Sequence, residues 1–557
     1  MFGNPGSSEE SLLDALSAAE FGQFKYYLAL HEGSVVAMAD AYARASIPQK
    51  LSHDAHAWRR PAIVQLHSYA GLANGLGMMN YAKRGYTPLV VFAGESGLRY
   101  DALDGQMSGD LCAMARPFVK SDHNGPCAWR VVDTGSLLRL LRRAIKTAST
   151  PPMGPVFLSL PMDLLDQPAV EEVVPSSVIL SRVLPQRTAV VEAARLLAEA
   201  KRPLILFGDG IAASEAQDEL ADLATLVGAV AWGANASEIN LRGSHSLFGG
   251  FLGHMFGEQS GPITSRADVV LVCGTTVLPE VFPLLQGVFA REAKVIQFDL
   301  NPTEIGKNFP VAVGAIGDPK LTLEALCAHL RTTLNEAQRA AARERTERHC
   351  AEKVSRKNEA VAADRKLPRS APLHAAPFMD LLCARLPPGA VIFDEALTHS
   401  PELLRYLPLE EYDSYYQTRA GMLGTGLPGA IGLKLARPDR TVLGVCGDGG
   451  SISTVQALAT AARYRIGAKL IVCNNRSYRI LKYNLQEYWA AHGQSRQQRF
   501  PESFELGRPG LRFDELAHAQ GVRATRVESF GQIEPALAQA LGDDEPFLID
   551  LVLSDEL

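Results

Sequence analysis

The chain has 557 residues, of which 47% are hydrophobic and 21% charged, and its formal net charge is −6. This length suits about three globular domains, and the slightly acidic balance argues against a broad basic surface, so we expect no nucleic-acid partner. No uninterrupted apolar run of about 18 residues occurs, so we also expect no membrane partner.

The eight cysteines lie far apart and include no Cys-x-x-Cys pair. This spacing suggests neither a zinc site nor a dense disulfide framework. The first residues also lack the charged start and apolar segment of a secretion signal. We therefore expect a cytoplasmic location.

The first 168 residues alternate segments with helical and strand character. Residues 32–45 carry apolar side chains at helical spacing, whereas 61–67, 88–94 and 154–161 are short apolar runs bounded by turn residues. Such alternation predicts a parallel sheet covered by helices.

The same alternation returns in residues 185–332 and again in residues 372–557. Between them, residues 333–371 are rich in alanine and charge, which predicts a helical linker. The predicted fold is therefore α/β, with three Rossmann-like parallel-sheet domains in series.

The last of these domains contains a glycine turn with one carboxylate in it. Asp448 lies in Gly447-Asp448-Gly449-Gly450, directly after an apolar strand. Free backbone N–H groups in such a turn suit a phosphate, and an aspartate beside a phosphate requires a cation between them. The next strand ends at Asn475, whose amide oxygen and the Ser477 carbonyl are further oxygen donors. We predict that Asp448, Asn475 and Ser477 bind Mg²⁺.

A second Gly-Asp-Gly turn occurs at residues 208–210, with Asn235 at a similar distance downstream. The motif alone is weak evidence for a metal site. For Asp209 we favour a tight strand-to-helix turn with a solvated aspartate.

Five segments resemble successive landmarks of the thiamine diphosphate-dependent enzymes, whose signature is Gly-Asp-Gly followed by Asn-Asn. The sequence resembles benzoylformate decarboxylase and related non-oxidative 2-oxo acid decarboxylases most, and acetolactate synthase-like proteins next. The resemblance implies thiamine diphosphate and Mg²⁺ as cofactors. It also implies that the three domains are pyrimidine-binding, middle and diphosphate-binding. The five segments are 2–9, 28–46, 65–77, 298–311 and 420–432.

The resemblance also implies the residues that hold the cofactor. Glu32 matches the glutamate that hydrogen-bonds the aminopyrimidine, the alternative being a structural ion pair. Leu423 matches the bulky side chain over which the cofactor bends, and Gly421 a carbonyl acceptor; the alternative for Leu423 is an ordinary core residue. Thr398 matches a diphosphate contact, with a helix N-cap as the alternative. The remaining implied cofactor contacts are Leu397, Gly447, Asp448, Gly449, Gly450, Asn475, Ser477, Tyr478 and Ile480.

Ser7 matches a serine that contacts the substrate carboxylate, and His67 matches a proton-relaying histidine of benzoylformate decarboxylase. Their alternatives are a turn-capping serine and a satisfied core histidine. Ile480 and Leu481 match residues that line the substrate pocket, with ordinary core as the alternative. The second catalytic histidine of that enzyme is missing, because Val281 stands near its expected place.

The function implied is decarboxylation of a 2-oxo acid to an aldehyde, with carboligation as a side activity. The alternatives are a carboligase or C–C lyase of acetolactate synthase or 2-hydroxyacyl-CoA lyase type, and a non-catalytic cofactor-binding subunit. A nicotinamide oxidoreductase is less favoured because the glycine fingerprint is incomplete. The resemblance implies a homodimer or homotetramer with active sites at the subunit interface.

An insertion at residues 47–60 precedes the strand that ends at His67. His53, Asp54 and His56 within it are possible metal ligands, but a solvated loop is the interpretation we favour.

Overall fold

The computed structural model describes residues 1–18, 24–46, 49–51, 54–58, 60–168, 170–177, 179, 181–253, 255, 257–278, 280–494 and 499–557. The chain forms two compact units. The first comprises residues 1–180, 368–403 and 418–557, and the second comprises residues 181–367 and 404–417.

The N-terminal part of the first unit is a parallel sheet in the order β2-β1-β5-β6-β10-β9. Its central strands are continuous apolar runs because helices cover both faces of a parallel sheet. The strands are β1 Phe2–Gly3, β2 Tyr27–Leu28, β3 Gln49–Leu51, β4 Asp54–Trp58, β5 Ala62–His67, β6 Leu89–Glu95, β7 Ser121–Asp122, β8 Gly125–Pro126, β9 Ala128–Arg130 and β10 Pro155–Pro161. The helices are α1 Glu10–Ser17, α2 Glu32–Ala45, α3 Ser68–Arg84, α4 Leu111–Ala115, α5 Leu137–Ser149 and α6 Met162–Leu165.

The second unit contains a parallel sheet in the order β13-β12-β11-β14-β15-β16. Its strands are β11 Pro203–Phe207, β12 Val230–Gly233, β13 Phe248–Phe251, β14 Val269–Cys273, β15 Lys294–Asp299 and β16 Val313–Ile316. Its helices are α7 Arg187–Glu199, α8 Gly210–Ala213, α9 Gln217–Val227, α10 Gly257–Thr264, α11 Pro319–Thr333 and α12 Glu336–Asp364. The long helix α12 starts with a capping box between Asn335 and Gln338.

The C-terminal part of the first unit is a third parallel sheet. Its strands are β17 Val391–Glu395, β19 Val442–Gly447, β20 Lys469–Asn474, β21 Arg523–Val527 and β22 Phe547–Val552, and they pair in the order β17-β19-β20-β22-β21. Strand β18 Tyr415–Gln417 and the last residues of helix α14 Ser400–Tyr406 belong to the second unit. The other helices are α13 Ala375–Arg385, α15 Gly426–Ala436, α16 Asp448–Ser453, α17 Ala457–Arg463, α18 Arg479–Ala491, α19 Phe513–Ala519 and α20 Ile533–Leu541. The prediction of three parallel-sheet α/β domains in series is confirmed.

Within the first unit, α2 and α15 cross at very short range. A Cβ on Gly432 would lie 2.2 Å from the carbonyl oxygen of Met38, so only glycine fits at this crossing. Arg437 at the end of α15 donates to the Ala45 carbonyl at the end of α2 over 2.9 Å. The two helices therefore run in the same direction, and each begins at a segment that carries predicted cofactor-binding residues.

Two expectations concern segments outside the main sheets. The insertion at residues 47–60 is not simply a loop, because β3 and β4 form an antiparallel hairpin. His53 lies outside the described residues, and only the backbone is described for Asp54 and His56. Among the helices of the described residues, none has the length and apolar character needed to cross a bilayer.

Candidate active site

The glycine turn forms the junction between β19 and α16. Gly447 is extended, and the helix begins at Asp448 itself. Asp448 is buried, its Oδ1 accepts from the Gly449 N–H at 2.7 Å and its Oδ2 accepts from the Arg476 N–H at 2.6 Å. Burial raises the pKa of Asp448 to about 6, and the backbone donors oppose that rise.

The residues after β20 lie against the same carboxylate. The N–H of Ser477 donates to Asn475 Oδ1 at 3.0 Å, and Arg476 between them supplies the N–H bound by Asp448. The structure thus brings Asp448, Asn475 and Ser477 together at the ends of adjacent strands.

This donor set fits a divalent cation. No basic side chain pairs with Asp448 in the part of the chain that the structure describes, although a buried carboxylate is costly without a counter-charge. Asp448, Asn475 and the Ser477 carbonyl supply oxygen ligands of the kind that Mg²⁺ prefers.

The two adjacent asparagines have different roles. Asn474 donates to Asp550 Oδ1 at 2.8 Å and to the Leu511 carbonyl at 3.1 Å, so it ties β20 to β22 and to the segment before α19. Only Asn475 belongs to the candidate metal site. The sequence pattern alone does not separate these roles.

Packing restricts two glycines of the turn, and Gly449 most strongly. A Cβ on Gly449 would lie 2.5 Å from the ring of Tyr478, and one on Gly450 would lie 3.2 Å from the carboxyl of Glu395. Gly447 has more room, with its nearest such contact at 3.7 Å. Tyr478 therefore packs directly against the turn.

The segment that carries Leu423 is a tight loop before α15. Gly421 and Gly424 have φ of +65° and +86°, which L-residues other than glycine rarely adopt. Leu423 is 37% exposed, so it is not an ordinary core leucine. The loop leaves its side chain accessible.

Glu395 at the end of β17 holds this loop in place. Its fully buried carboxyl accepts from the N–H groups of Gly424 at 2.6 Å, Thr425 at 3.1 Å and Gly426 at 2.5 Å. Thr454 at the end of α16 donates to the Gly424 carbonyl at 2.9 Å. The Leu423 loop is thus bound both to the strand end and to the helix that begins at Asp448. Sequence reasoning missed Glu395, although a carboxylate ending an apolar strand was a signal.

Leu397 and Thr398 follow Glu395 in a 3₁₀ turn that ends at His399. The N-cap of this turn is Ala396, so the alternative of Thr398 as its N-cap is wrong. His399 is buried, and its Nε2 lies 3.4 Å from Asn475 Nδ2. Burial, reinforced by nearby Arg479, lowers the pKa of His399 to about 3, so this imidazole is neutral.

Ile480 and Leu481 lie in the first turn of α18, directly after Tyr478. Ile480 is half-buried and Leu481 is 37% exposed, so Leu481 in particular is not ordinary core. Both remain predicted pocket residues.

Glu32 lies at the start of α2, after the N-cap His31. It is buried, its Oε1 accepts from Asn4 Nδ2 at 2.9 Å and its Oε2 accepts from Asn74 Nδ2 at 3.0 Å. Two amides, rather than the cation of a structural ion pair, hold this carboxylate among the described residues. Sequence reasoning missed both asparagines.

Gly6 precedes Ser7 in the chain and contacts His67. A Cβ on Gly6 would be 2.1 Å from the His67 ring, so the imidazole rests on the Gly6 backbone. Ser7 is exposed and begins a 3₁₀ turn whose N-cap is Gly6, which argues against a capping role for Ser7. His67 Nδ1 lies 3.2 Å from Glu9 Oε2. The segment at residues 4–9 therefore contacts both Glu32 and His67.

The predicted residues thus form two groups. Ser7 lies within the segment at residues 4–9, which contacts Glu32 and His67. The other predicted residues lie in the glycine turn, in the loop before α15 and in the segments that follow β17 and β20. Within the single chain, no hydrogen bond among the described residues links one group directly to the other.

The second Gly-Asp-Gly turn serves the middle domain. Asp209 is not simply solvated, because it accepts from the N–H groups of Ser237 at 2.8 Å and Glu238 at 3.0 Å and from Asn240 Nδ2 at 3.1 Å. Its flanking glycines are needed because residues 274 and 275 approach within 3 Å of their Cβ positions. Asp209 is a structural residue of this loop.

Comparison with protein families gives three matches in chain order. Residues 1–114 match the N-terminal TPP binding domain of thiamine pyrophosphate enzymes, residues 190–326 the central domain, and residues 398–551 the C-terminal TPP binding domain. These matches confirm thiamine diphosphate as the cofactor, and Mg²⁺ is the standard companion metal in this family.

Individual relatives agree with the family match. Benzoylformate decarboxylase from Pseudomonas aeruginosa is 30% identical, over 99% of this chain and 95% of its own length. A probable acetolactate synthase large subunit from Methanococcus aeolicus is 27% identical, over 99% of this chain and 89% of its own. The crystal structure of benzoylformate decarboxylase from Polynucleobacter necessarius superposes with a TM-score of 0.81 at 25% identity, covering 100% of this chain and 96% of that one. The chain belongs to the thiamine pyrophosphate-dependent enzymes.

Proposed function

We propose that the protein is a thiamine diphosphate-dependent, non-oxidative decarboxylase that converts a benzoylformate-like 2-oxo acid to an aldehyde. The observation that carries the proposal is that the segment at residues 4–9, which contains the exposed Ser7, contacts both His67 and Glu32. The similarity to benzoylformate decarboxylase supports the same reaction class.

The residues of the chain have distinct tasks in this proposal. Asp448, Asn475 and the Ser477 carbonyl would hold Mg²⁺, and the backbone of the glycine turn would bind the diphosphate. When bound, the cofactor supplies an electron sink for the carbon that loses carbon dioxide. When the cofactor is bound, Glu32 would hydrogen-bond its aminopyrimidine and Leu423 would support it. The other proposed cofactor contacts are Leu397, Thr398, Gly421, Gly447, Gly449, Gly450, Tyr478 and Ile480.

The substrate-facing side chains act on charge and protons. Ser7 is exposed and donates to the substrate carboxylate, whereas His67 moves the proton that replaces carbon dioxide. Ile480 and Leu481 line an apolar part of the substrate pocket.

The experiment is product analysis with purified protein, thiamine diphosphate, Mg²⁺ and a panel of 2-oxo acids including benzoylformate and pyruvate. We expect an aldehyde and carbon dioxide, with activity lost after chelation of the metal. No aldehyde from any acid in the panel would overturn the proposal.

Carboligation is the second candidate function. It is favoured by Val281, which is 52% exposed and stands where a second catalytic histidine is expected, and by the acetolactate synthase relatives. A hydroxyketone as the main product would favour this candidate. A non-catalytic subunit is disfavoured because Glu32 and Asp448 are both present and held in place.

We also propose that the chain acts as a homodimer or homotetramer with its active sites between subunits. This arrangement would bring Glu32 of one chain to the glycine turn of another. We further propose a reducing compartment such as the cytoplasm. None of the eight cysteines forms a disulfide bond in the structure, which supports this proposal.

A further inference from the structure

Glu9 contacts His67, the proposed proton relay. Its side chain is completely buried at the end of the 3₁₀ turn that starts at Ser7. Oε1 accepts from the Gly94 N–H at 2.8 Å, and Oε2 accepts from the Gly6 N–H at 3.0 Å. The carboxylate is therefore fixed between its own turn and the end of β6.

The same carboxylate fixes the orientation of His67. The Nδ1 atom is 3.2 Å from Oε2 and 3.5 Å from Oε1, while the ring lies against Gly6. The His67 side chain is 20% exposed, and its Nε2 has no hydrogen-bond partner among the described residues. One edge of the imidazole is thus bound to protein and the other is available.

The chemistry of this contact determines which nitrogen carries the proton. An ionised carboxylate only accepts hydrogen bonds, so a neutral His67 bound to it must carry its hydrogen on Nδ1. Nε2 then has a free lone pair on the accessible edge. The negative charge also stabilises the imidazolium that forms when Nε2 takes a proton. Burial raises the pKa of Glu9, and this rise is opposed by His67 and by the Gly6 and Gly94 N–H groups.

We propose that Glu9 is a positioning residue that holds His67 in the Nδ1–H tautomer, so that Nε2 is the atom that exchanges protons with the substrate. This inference rests on the proposed function, in which His67 is the proton relay. A purely structural Glu9 would only join residues 6–9 to β6, with no effect on the tautomer.

The substitution Glu9→Gln separates these roles. Glutamine has one oxygen in place of two. In one orientation its amide nitrogen faces the Gly94 N–H, and in the other it faces the Gly6 N–H and donates to His67 Nδ1. Donation to Nδ1 would force the hydrogen onto Nε2. The matched control is Asp163→Asn, because Asp163 also accepts two backbone N–H groups, from Leu98 at 3.0 Å and Arg99 at 3.4 Å, without contacting a histidine.

Neutron diffraction from crystals grown in D₂O tests the tautomer directly and needs no turnover. We expect a deuteron on His67 Nδ1 in the wild type and in Asp163→Asn. In Glu9→Gln we expect it on Nε2 wherever the deuterated amide nitrogen faces His67. A neutral wild-type His67 deuterated only on Nε2 would overturn the proposal, even if Glu9→Gln fails to fold. Loss of the proposed function would appear separately, as a wild type that releases no aldehyde.

A double-mutant cycle tests whether Glu9 acts through His67. Glu9→Gln should lower kcat by about 10- to 100-fold, part of the contribution expected of general acid–base catalysis, and leave KM nearly unchanged. In a His67→Ala background the same change should have no further effect on kcat. An equal loss in both backgrounds would show that Glu9 is structural only.

Discussion

The Asp448 carboxylate is buried with backbone donors and without a cationic side chain among the described residues. A bound metal ion would supply the positive charge that this carboxylate lacks. Asp209 lies in a similar motif, but its carboxylate oxygens accept hydrogen bonds from residues 237–240. The contrast between these two aspartates gives a matched experiment.

Asp448→Asn should weaken Mg²⁺-dependent binding of thiamine diphosphate by more than about 100-fold, because it removes a charged metal ligand. Isothermal titration calorimetry with the cofactor at fixed Mg²⁺ measures this. Asp209→Asn should leave the affinity unchanged. Equal affinities for the wild type and Asp448→Asn would refute the metal assignment.

Glu32→Gln should retain cofactor binding but lose about 10²- to 10⁴-fold in kcat, the size expected for a residue in acid–base chemistry. Cofactor titration and steady-state kinetics together check this. Glu10→Gln, an exposed change in α1, is the control. Unchanged kcat in Glu32→Gln would contradict the assigned role.

Glu395 gives the protein a stability that depends on pH. Burial raises its pKa to about 7 from an ordinary value of 4.5, so between these limits the folded chain keeps a proton that the unfolded chain releases. The stabilisation from this group is therefore complete below pH 4.5, and it is lost as the pH rises through about 7.

Glu395→Gln removes this dependence. Relative to the variant, the wild type should lose on the order of 3 kcal/mol of unfolding free energy between pH 4.5 and about 7. Urea denaturation at a series of pH values measures the difference. A difference that stays constant with pH would exclude Glu395 as the titrating group.

At the scale of elements, the central strands of the sheets were predictable because they are buried apolar runs between turn residues. The ends of these strands also identified Asp448 and Asn475. Contacts between distant segments were not predictable. Glu9 and Gly94 are 85 residues apart, and Asn4 and Glu32 are 28 apart, and no local pattern connects such pairs. The hairpin of β3 and β4 was missed because its sequence lacks a clear alternation.

The crossing of α2 and α15 depends on Gly432. Gly432→Ala should destabilise the fold by about 1–3 kcal/mol, since the added Cβ overlaps the Met38 carbonyl. Gly531→Ala is the control because nothing lies within 4 Å of its Cβ position, and it should change stability by less than about 0.5 kcal/mol. Equilibrium unfolding in denaturant compares them. Equal stabilities would show that the helices move apart without cost.

At the scale of the whole molecule, the two groups of predicted residues lie in the same unit without a direct hydrogen bond between them. Sequence resemblance identified both groups but not how copies of the chain associate. The proposed site between subunits requires Glu32 and Asp448 to come from different chains.

Mixing two inactive variants tests that requirement. If Glu32→Gln and Asp448→Asn are unfolded together and refolded, mixed dimers should contain one intact site, which restores about a quarter of wild-type activity. Each variant refolded alone should stay inactive. No recovery despite mixed dimers, detected by two different affinity tags, would place both residues of a site in one chain.

The short segment at residues 4–9 contacts two acid–base side chains, through Asn4 to Glu32 and through Gly6 and Glu9 to His67. Mutational libraries that aim to change substrate scope should therefore treat this segment as a single cassette. Exchanges within it are expected to be epistatic, so beneficial combinations will be overlooked when its positions are randomised one at a time.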